Sequence, residues 1–265
     1  MLLTHDGHRI YYDLTGPESG PVVCFTHSLN SDSGMWAEQL PPLLAQGFRV
    51  LRVDMRGHGG SDAVAGDYSM TALAADLAAT IEALGIKSVH YIGLSIGGMI
   101  GQGFALHHGA KLKSMMLCDT RPQSPADQKT AWQERAGIVR KANSLAPLAD
   151  ATMQRWFTDA FKPRNPGRWK QIRDTIAGTT PQGFLGCAAA IQNYDFVAKL
   201  PTIKIPALVV CGAQDEGTPP AENKRIASLI PGGRYEEIAN ARHLPNVEHP
   251  ETFNKVMLGW LSAQR

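Results

Sequence analysis

The sequence has few of the features that mark secreted, membrane-embedded or metal-dependent proteins. Its four cysteines show no metal-ligand spacing, and three of them lie in apolar runs: Cys24, Cys118 and Cys211, with Cys187 elsewhere. We therefore expect buried free thiols in a reducing compartment. Residues 1–14 lack the pattern of a signal peptide, and no apolar stretch approaches the ~20 residues of a membrane span. These absences predict a cytoplasmic protein with no membrane partner.

An excess of one charge is also absent. Lys and Arg number 26 against 24 Asp and Glu, which gives a formal net charge of +2. No broad field for nucleic acid follows, so an acidic substrate would need a local cation. The sequence contains no H-E-x-x-H, no P-loop and no dinucleotide fingerprint, and we expect neither a metal nor a cofactor. The composition is typical of a globular enzyme.

Short apolar runs alternate with helical patterns along most of the chain. This alternation predicts an α/β fold, a mostly parallel sheet with helices on both faces, whose ligands bind beyond the carboxyl ends of the strands. Strands are predicted at residues 8–14, 22–27, 48–55, 88–93, 113–119, 207–212 and 233–238, and helices at 35–45, 70–84, 95–107 and after 249.

The strand pattern stops in the middle of the chain. Four helical patterns separated by proline- or glycine-containing breaks replace it, at residues 132–142, 148–157, 168–177 and 183–191. We interpret residues 122–200 as a helical cap. The cap would be inserted into a core made of residues 1–121 and 201–265.

Gly93-Leu94-Ser95-Ile96-Gly97 is a G-x-S-x-G pentapeptide between a predicted strand and a predicted helix. A sharp turn there forces strained backbone at Ser95, and glycines on both sides avoid clashes. The turn lifts the serine hydroxyl above the sheet, with a helix N-terminus behind it. The pattern is typical of the α/β-hydrolase fold and predicts Ser95 as a nucleophile. The alternative is a glycine-rich helix start with an exposed serine.

A serine hydroxyl needs a base to take its proton, and in this fold the chain order is Ser, acid, His. His243 lies in a loop after the strand at 233–238, which is where that base belongs. His249 is the competing histidine. It immediately precedes Pro250, so we expect it to cap the last helix.

Two aspartates follow strands and could serve as the acid. Asp215 comes after the strand at 207–212, and a carboxylate there can fix the tautomer of His243. Asp119, after the strand at 113–119, is the rival. A third interpretation is that Asp215 is a solvated turn residue. The acid is expected after a late strand that precedes the histidine, which favours Asp215.

The tetrahedral intermediate of such a reaction needs two backbone N–H donors. Ile96, directly after the nucleophile, is the first predicted donor. Leu29, in the loop after the strand at 22–27, is the second. Side chains play no part in this role.

The segments FTHSLNSDSGMW, GLSIGGMIGQ, CGAQDEGTPP and ARHLPNVEHPETF resemble the 3-oxoadipate enol-lactonases. These are α/β-hydrolases of the β-ketoadipate pathway, and the resemblance covers nearly the whole chain. It implies a lactone substrate that bears a free carboxylate. Ser95 would attack the lactone carbonyl, the enol oxygen would leave as a ketone, and water activated by His243 would release 3-oxoadipate. Ser95, Asp215 and His243 match the family's triad.

The resemblance also implies a substrate-binding pair, because Trp132 and Arg135 match a Trp-x-x-Arg of the family. They lie one helical turn apart, and the arginine could pair bidentately with the substrate carboxylate. The alternative is a packed tryptophan and a solvated arginine. The chain departs from the family pattern at Asn30, where relatives have glycine, and at Gly60, where a bulkier or basic residue is common.

Other activities stay open at the level of sequence. One is a small carboxylesterase, lactonase or perhydrolase of different specificity, and a more remote one is a carbon–carbon bond hydrolase. A receptor built on this fold would react once and then stop, so steady turnover separates it from an enzyme. Haloalkane dehalogenases use a carboxylate at the position of Ser95 and are disfavoured.

Overall fold

The computed structural model describes residues 1–124 and 128–264. Eight strands form one sheet in the order β1-β2-β4-β3-β5-β6-β7-β8. Their bounds are β1 Leu2–His5, β2 His8–Thr15, β3 Val22–Thr26, β4 Arg49–Val53, β5 Val89–Leu94, β6 Leu112–Cys118, β7 Ala207–Gly212 and β8 Arg234–Ile238. Strand β2 pairs antiparallel with both of its neighbours, β1 and β4. All other neighbouring strands pair parallel. The predicted α/β fold with a mostly parallel sheet is confirmed.

The described residues contain eleven α-helices. Their bounds are α1 Leu40–Ala45, α2 Met70–Ala83, α3 Ile96–His108, α4 Lys129–Ala142, α5 Ala146–Trp156, α6 Phe161–Arg164, α7 Pro166–Gly178, α8 Pro181–Gln192, α9 Pro220–Leu229, α10 Pro245–Glu248 and α11 Pro250–Ser262. Helices α4 to α8 all lie between β6 and β7. The predicted cap at 122–200 includes residues 125–127, which lie outside the described residues. No helix in the described ranges has the length and apolarity to cross a bilayer.

Both faces of the sheet are covered by apolar side chains, and β5 shows how. Tyr91 belongs to the cluster that includes Phe104 of α3, whereas Ile92, its neighbour, belongs to the cluster of Phe253 and Trp260 from α11. Every residue of β5 is buried. A strand buried on both faces needs a continuous apolar run rather than alternation. Each large side chain buried in this way stabilises the fold by about 1.5–3 kcal/mol.

Local signals set the ends of α2. The Ser69 side chain accepts a hydrogen bond from Ala72 N at 3.1 Å, which caps the first turn. The helix is followed by Gly85 at φ +66°, the left-handed conformation that glycine adopts without strain. Leu73 and Leu77 lie on its buried face. The predicted helix at 70–84 is confirmed.

Three elements differ from the prediction. Strand β1 was not predicted, since four residues at an exposed sheet edge carry little apolar pattern. Helix α9 was not predicted, because only three of its residues are buried. The single helix predicted at 35–45 is two pieces, a 3₁₀ segment Ser33–Gln39 and α1. Two prolines in the first turn of α1 explain the break, because proline favours a helix start over an interior position.

Candidate active site

The turn between β5 and α3 holds Ser95 in a strained conformation. Its φ is +60° and its ψ is −118°, which a non-glycine residue adopts only under constraint. Hydrogen bonds impose that constraint: Ser95 N donates to Cys118 O at 2.8 Å, and Thr120 Oγ1 donates to Ser95 O at 2.8 Å. The strand-to-helix turn predicted around Ser95 is therefore present.

Glycines at positions 93 and 97 are required by the close packing of this turn. A Cβ at Gly93 would lie 2.4 Å from Gly97 O, and a Cβ at Gly97 would lie 2.5 Å from Thr26 O. Both contacts are with backbone, which cannot move aside easily. The G-x-S-x-G spacing is thus a steric consequence of bringing α3 against β3 and β5.

The predicted base and acid are hydrogen-bonded to each other. His243 Nδ1 lies 2.7 Å from Asp215 Oδ2, and both residues are buried. Since a carboxylate accepts, Nδ1 carries the proton and donates it. That tautomer leaves Nε2 free as a base. No hydrogen bond joins Ser95 to His243, both within the described residues, although they line one cavity. Such bonds often tighten only when substrate binds.

Asp215 is held as a charged carboxylate. Its Oδ1 accepts hydrogen bonds from Gly217 N at 2.8 Å and Thr218 N at 3.1 Å, and Oδ2 accepts from Thr218 Oγ1 as well as from His243. Burial alone would raise the pKa of Asp215. The charge of His243 and these hydrogen bonds outweigh burial and lower that pKa to about 2.

The rival acid, Asp119, lies beside this pair. Strands β6 and β7 are neighbours, with Cys118 opposite Val210, so the residues that follow the two strands meet. One oxygen each of Asp119 and Asp215 and a ring nitrogen of His243 all lie within 4.8 Å of one another. Asp119 therefore belongs to the site, although only Asp215 is hydrogen-bonded to His243 in the described structure.

A cavity of about 380 Å³ opens above these groups. Ser95, Asp215 and His243 line it from the strand ends, and helices α4, α5 and α8 supply the other walls. Its apolar lining includes Met99, Leu148, Trp156, Phe184 and Ile191. This volume and this lining suit a small organic molecule.

The predicted substrate-binding residues face the same cavity. Trp132 and Arg135 both line it, and the Arg135 guanidinium lies 4.9 Å from the centre of the Trp132 ring. Arg155 of α5, which the sequence did not single out, lines it too, and its Nη2 donates to Thr152 Oγ1 at 3.1 Å. Among described residues, no carboxylate lies within 4.0 Å of either guanidinium.

The cavity walls shield both arginines in part from water, although the Arg155 side chain stays exposed at the surface and Arg135 is half-buried. Burial lowers the pKa of Arg135, and burial together with the charge of Arg135 lowers the pKa of Arg155 to about 10. Both groups stay cationic at neutral pH. The cavity therefore presents these two positive charges to whatever occupies it, together with Arg121, which also lines it and whose Nε donates to Gly217 O at 3.0 Å.

Residues 21–250 match the family described as the alpha/beta hydrolase fold. The chain belongs to this family. The expectation of a hydrolase enzyme is confirmed at that level.

The relatives of the chain include enol-lactonases and hydrolases of other kinds. The 3-oxoadipate enol-lactonase 1 of Acinetobacter baylyi is 30% identical over 263 residues, 99% of this chain and 97% of that protein. The enol-lactonase structure from Burkholderia xenovorans LB400 has a TM-score of 0.94 at 33% identity, covering 99% of this chain and 100% of that one. A thermophilic esterase from Thermogutta terrifontis, solved with malate bound, has a TM-score of 0.91 at 29% identity and covers 99% and 97%. The resemblance to enol-lactonases is confirmed.

The two predicted backbone donors of this α/β-hydrolase lie beside Ser95. Ile96 is the first residue of α3, where an N–H has no acceptor within its own helix. Leu29 lines the cavity, and its N–H donates to no described group. The next residue, Asn30, has φ +64°. Asparagine tolerates this region better than most residues, which explains how it replaces the glycine of relatives.

Gly60, the other departure from the family pattern, faces Tyr11. A Cβ at Gly60 would lie 2.8 Å from two carbons of the Tyr11 ring. The residue lines a second cavity, away from Ser95, that also contains Asp54. Asp54 fixes the loop there, since its carboxylate accepts from Ser33 N at 2.7 Å and Gly60 N at 2.9 Å.

His249 caps the last helix by its position, as predicted, but not through its side chain. It occupies the N-cap position of α11, but its side chain accepts no hydrogen bond from the first turn. Its Nε2 instead donates to Asn240 O at 2.8 Å. Pro250 lacks an N–H, and the imidazole turns back toward the loop before His243.

The loop that carries His243 is attached to the end of α5. On one side of the base, the Arg242 guanidinium donates to Gln154 O and Phe157 O, the latter at 3.1 Å. On the other side, Leu244 N donates to Trp156 O at 3.3 Å. The predicted base, His243, is therefore positioned both by its hydrogen bond to Asp215 and by the attachment of its loop to α5.

Proposed function

We propose that the chain is a serine hydrolase that opens a carboxylate-bearing lactone, with 3-oxoadipate enol-lactone as the candidate substrate. The observation that carries the proposal is one cavity that joins Ser95 and the Asp215–His243 pair to two unpaired guanidiniums. The first three groups supply acyl-transfer chemistry. The guanidiniums supply recognition of an anion.

In this proposal His243 Nε2 takes the proton of Ser95 Oγ, and the oxygen attacks the lactone carbonyl. Asp215 stays ionised and stabilises the imidazolium that forms. The N–H groups of Leu29 and Ile96 donate to the developing oxyanion. Removing one such donor from a hydrolase typically costs about 10²–10³ in kcat, which shows how much of the barrier these groups control.

The acyl-enzyme forms when the ring C–O bond breaks and the enol oxygen leaves. The oxygen leaves as an enolate, which takes the proton that His243 received from Ser95 and becomes a ketone, and this makes ring opening favourable. Water then gives a proton to His243 Nε2 and attacks the Ser95 ester. The ester bond breaks, Ser95 recovers its proton, and 3-oxoadipate leaves with two carboxylates.

Arg135 and Arg155 would hold the carboxylate that the substrate already carries. A guanidinium pairs bidentately with a carboxylate, and two of them around one anion fix its position. Trp132 would cover the ring, since its indole lies beside Arg135 on the cavity wall. In this reading the helices of residues 122–200 act as a cap that supplies specificity.

An esterase for open-chain acidic esters is the second candidate. Its support is the related Thermogutta terrifontis esterase, whose structure was solved with malate, a dicarboxylate. The two candidates share Ser95, His243 and the arginines. They differ only in whether the leaving oxygen belongs to a ring.

The test follows the loss of 3-oxoadipate enol-lactone by ultraviolet absorbance, with Ser95→Ala measured alongside. A kcat/KM above about 10⁵ M⁻¹s⁻¹, abolished in the variant, supports the lactonase. Slow lactone opening with rapid cleavage of acidic aryl esters favours the second candidate. Turnover by Ser95→Ala equal to wild type contradicts both, and a single stoichiometric burst contradicts an enzyme.

A further inference from the structure

The site contains a carboxyl group that acyl transfer as described does not use. Asp119 follows β6 with φ +44° and is fully buried. Its Oδ1 accepts a hydrogen bond from Gly212 N at 2.8 Å, and its buried Oδ2 accepts none from any described group. It lies within 4.8 Å of both Asp215 and His243. Two buried carboxyls this close repel each other if both are ionised.

Hydrogen bonding decides which of the two keeps the negative charge. Asp215 accepts from two backbone N–H groups, a hydroxyl and the imidazole of His243. Asp119 accepts from one backbone N–H, that of Gly212, and interacts with one weak donor, the thiol of Cys211. Donors favour the ionised form, so the charge belongs on Asp215 and a proton on Asp119.

No lysine or arginine is among the described groups whose interaction with Asp119 the structure records. Apart from His243, the titratable groups that interact with it are Asp215, Cys118, Cys211 and Tyr235, and all four are acids. Burial first, then the charge of Asp215, raise the pKa of Asp119 well above its ordinary value. Burial also raises the pKa of both thiols, so neither carries charge.

We propose that Asp119 carries a proton on Oδ2 and directs it toward Asp215, so that a neutral carboxylic acid supports the acid of the triad. Asp119 is then a positioning residue and does not touch the substrate. Its Oδ1 holds Gly212, where the loop that carries Asp215 begins. Its proton stabilises the Asp215 carboxylate and makes it a weaker base toward His243.

This arrangement has a consequence for His243. A carboxylate that already accepts a hydrogen bond from Asp119 attracts the imidazolium less strongly, so His243 stays neutral and active at lower pH. The inference rests on the proposed roles of Ser95, Asp215 and His243. Loss of activity in Ser95→Ala tests the proposed function. The Asp119 variants test the proton on Asp119, so the two can fail independently.

The experiment compares Asp119→Asn with Asp119→Leu in the pH profile of kcat/KM, using p-nitrophenyl acetate as substrate. Asparagine keeps a neutral donor toward Asp215 and an acceptor for Gly212 N. We expect it to lower kcat less than about threefold and to leave the acidic limb in place. Leucine has a similar size but donates nothing. We expect it to lower kcat about tenfold and to move the acidic limb upward by about half a pH unit.

Three outcomes overturn the proposal. An ionised Asp119 would raise the pKa of His243, so its removal in Asp119→Asn would move the acidic limb downward. If Asp119 were the true acid, Asp119→Asn would be nearly inactive while Asp215→Asn kept activity. If the cluster held a cation, dialysis of the wild type against a chelator would abolish turnover.

A spectroscopic measurement covers the case in which Asp119→Leu fails to fold. The infrared difference spectrum of wild type minus Asp119→Asn at pH 7 reports the carboxyl directly. We expect a carbonyl band of a protonated acid that shifts in D₂O. If the difference spectrum showed a carboxylate band from Asp119 instead of that carbonyl band, the proposal would be refuted without reference to activity.

Discussion

Arg135 and Arg155 line the same cavity, and burial and the charge of Arg135 together lower the pKa of Arg155 to about 10. Two unpaired like charges in a half-buried space are unfavourable in the empty enzyme. A bound carboxylate removes the repulsion and supplies the missing hydrogen bonds. Anion binding at this place therefore gains from both effects.

The first prediction concerns these arginines. Arg135→Met and Arg155→Met should each lower kcat/KM for an acidic lactone or ester about ten- to a hundredfold, since each loses a charge-assisted pair. Hydrolysis of p-nitrophenyl acetate should change little. Arg140→Met, on the exposed end of α4, is the matched control. Equal losses on the neutral ester would mean that the arginines support the fold rather than bind the anion.

The strained backbone of Ser95 gives a second prediction. Ser95→Ala and Ser95→Gly should both lose at least about 10³ in kcat, because neither offers a nucleophile. Glycine accommodates φ +60° without strain, so Ser95→Gly should be more stable than Ser95→Ala by about 1 kcal/mol. Urea denaturation measures this difference. Equal stabilities would show that the turn relaxes when the hydroxyl is removed.

Asp215 is expected to dominate the acid function. Asp215→Asn should lower kcat about 10³–10⁴-fold, because an amide favours the wrong tautomer of His243. Steady-state kinetics with p-nitrophenyl acetate give the ratio, and near-ultraviolet circular dichroism checks the fold. A larger loss in Asp119→Asn than in Asp215→Asn would reverse the assignment of the acid.

The two carboxyls should also affect stability in opposite directions as pH changes. The pKa of Asp215 falls from 3.8 to about 2 on folding, so it contributes about 2 kcal/mol above pH 4 that is lost as pH falls toward 2. The pKa of Asp119 rises on folding, so its contribution is complete below pH 3.8 and is lost as pH rises. Asp119→Asn should therefore gain stability over wild type as the pH rises above 3.8.

Thermal unfolding of wild type, Asp119→Asn and Asp215→Asn at pH 4, 6 and 8 checks these signs. The gap between Asp119→Asn and wild type should widen with pH. A constant gap would indicate that the pKa of Asp119 is the same in the folded and unfolded chain.

Sequence predicted those parts of the site that depend on local geometry. Ser95 could be placed because two glycines and a strand-to-helix boundary constrain the same five residues. His243 could be placed because only one loop follows the last strand. These features are readable in a short window of sequence, and tertiary contacts then agree with them.

Features that depend on neighbouring strands or helices were less accessible. Asp119 and Asp215 lie far apart in the chain, and only the pairing of β6 with β7 makes them neighbours. Arg155 gives no local sign of function, since an arginine on an amphipathic helix is normally solvated. Only the position of α5 over the strand ends brings it into the cavity. The short edge strand β1 and the polar helix α9 were missed because their burial is slight.

The hydrogen bonds between α5 and both neighbours of His243 restrict how the enzyme can admit its substrate. If α5 moved outward, Arg242 and Leu244 would move with it, and the base would be withdrawn from Asp215. Opening on this side would dismantle the site that the substrate is about to enter. We therefore expect exchange with solvent to proceed past α4, which forms no backbone hydrogen bond with the loop of His243 among the described residues. Helix α4 would then move to admit the substrate, while α5 would stay in place and keep His243 next to Asp215.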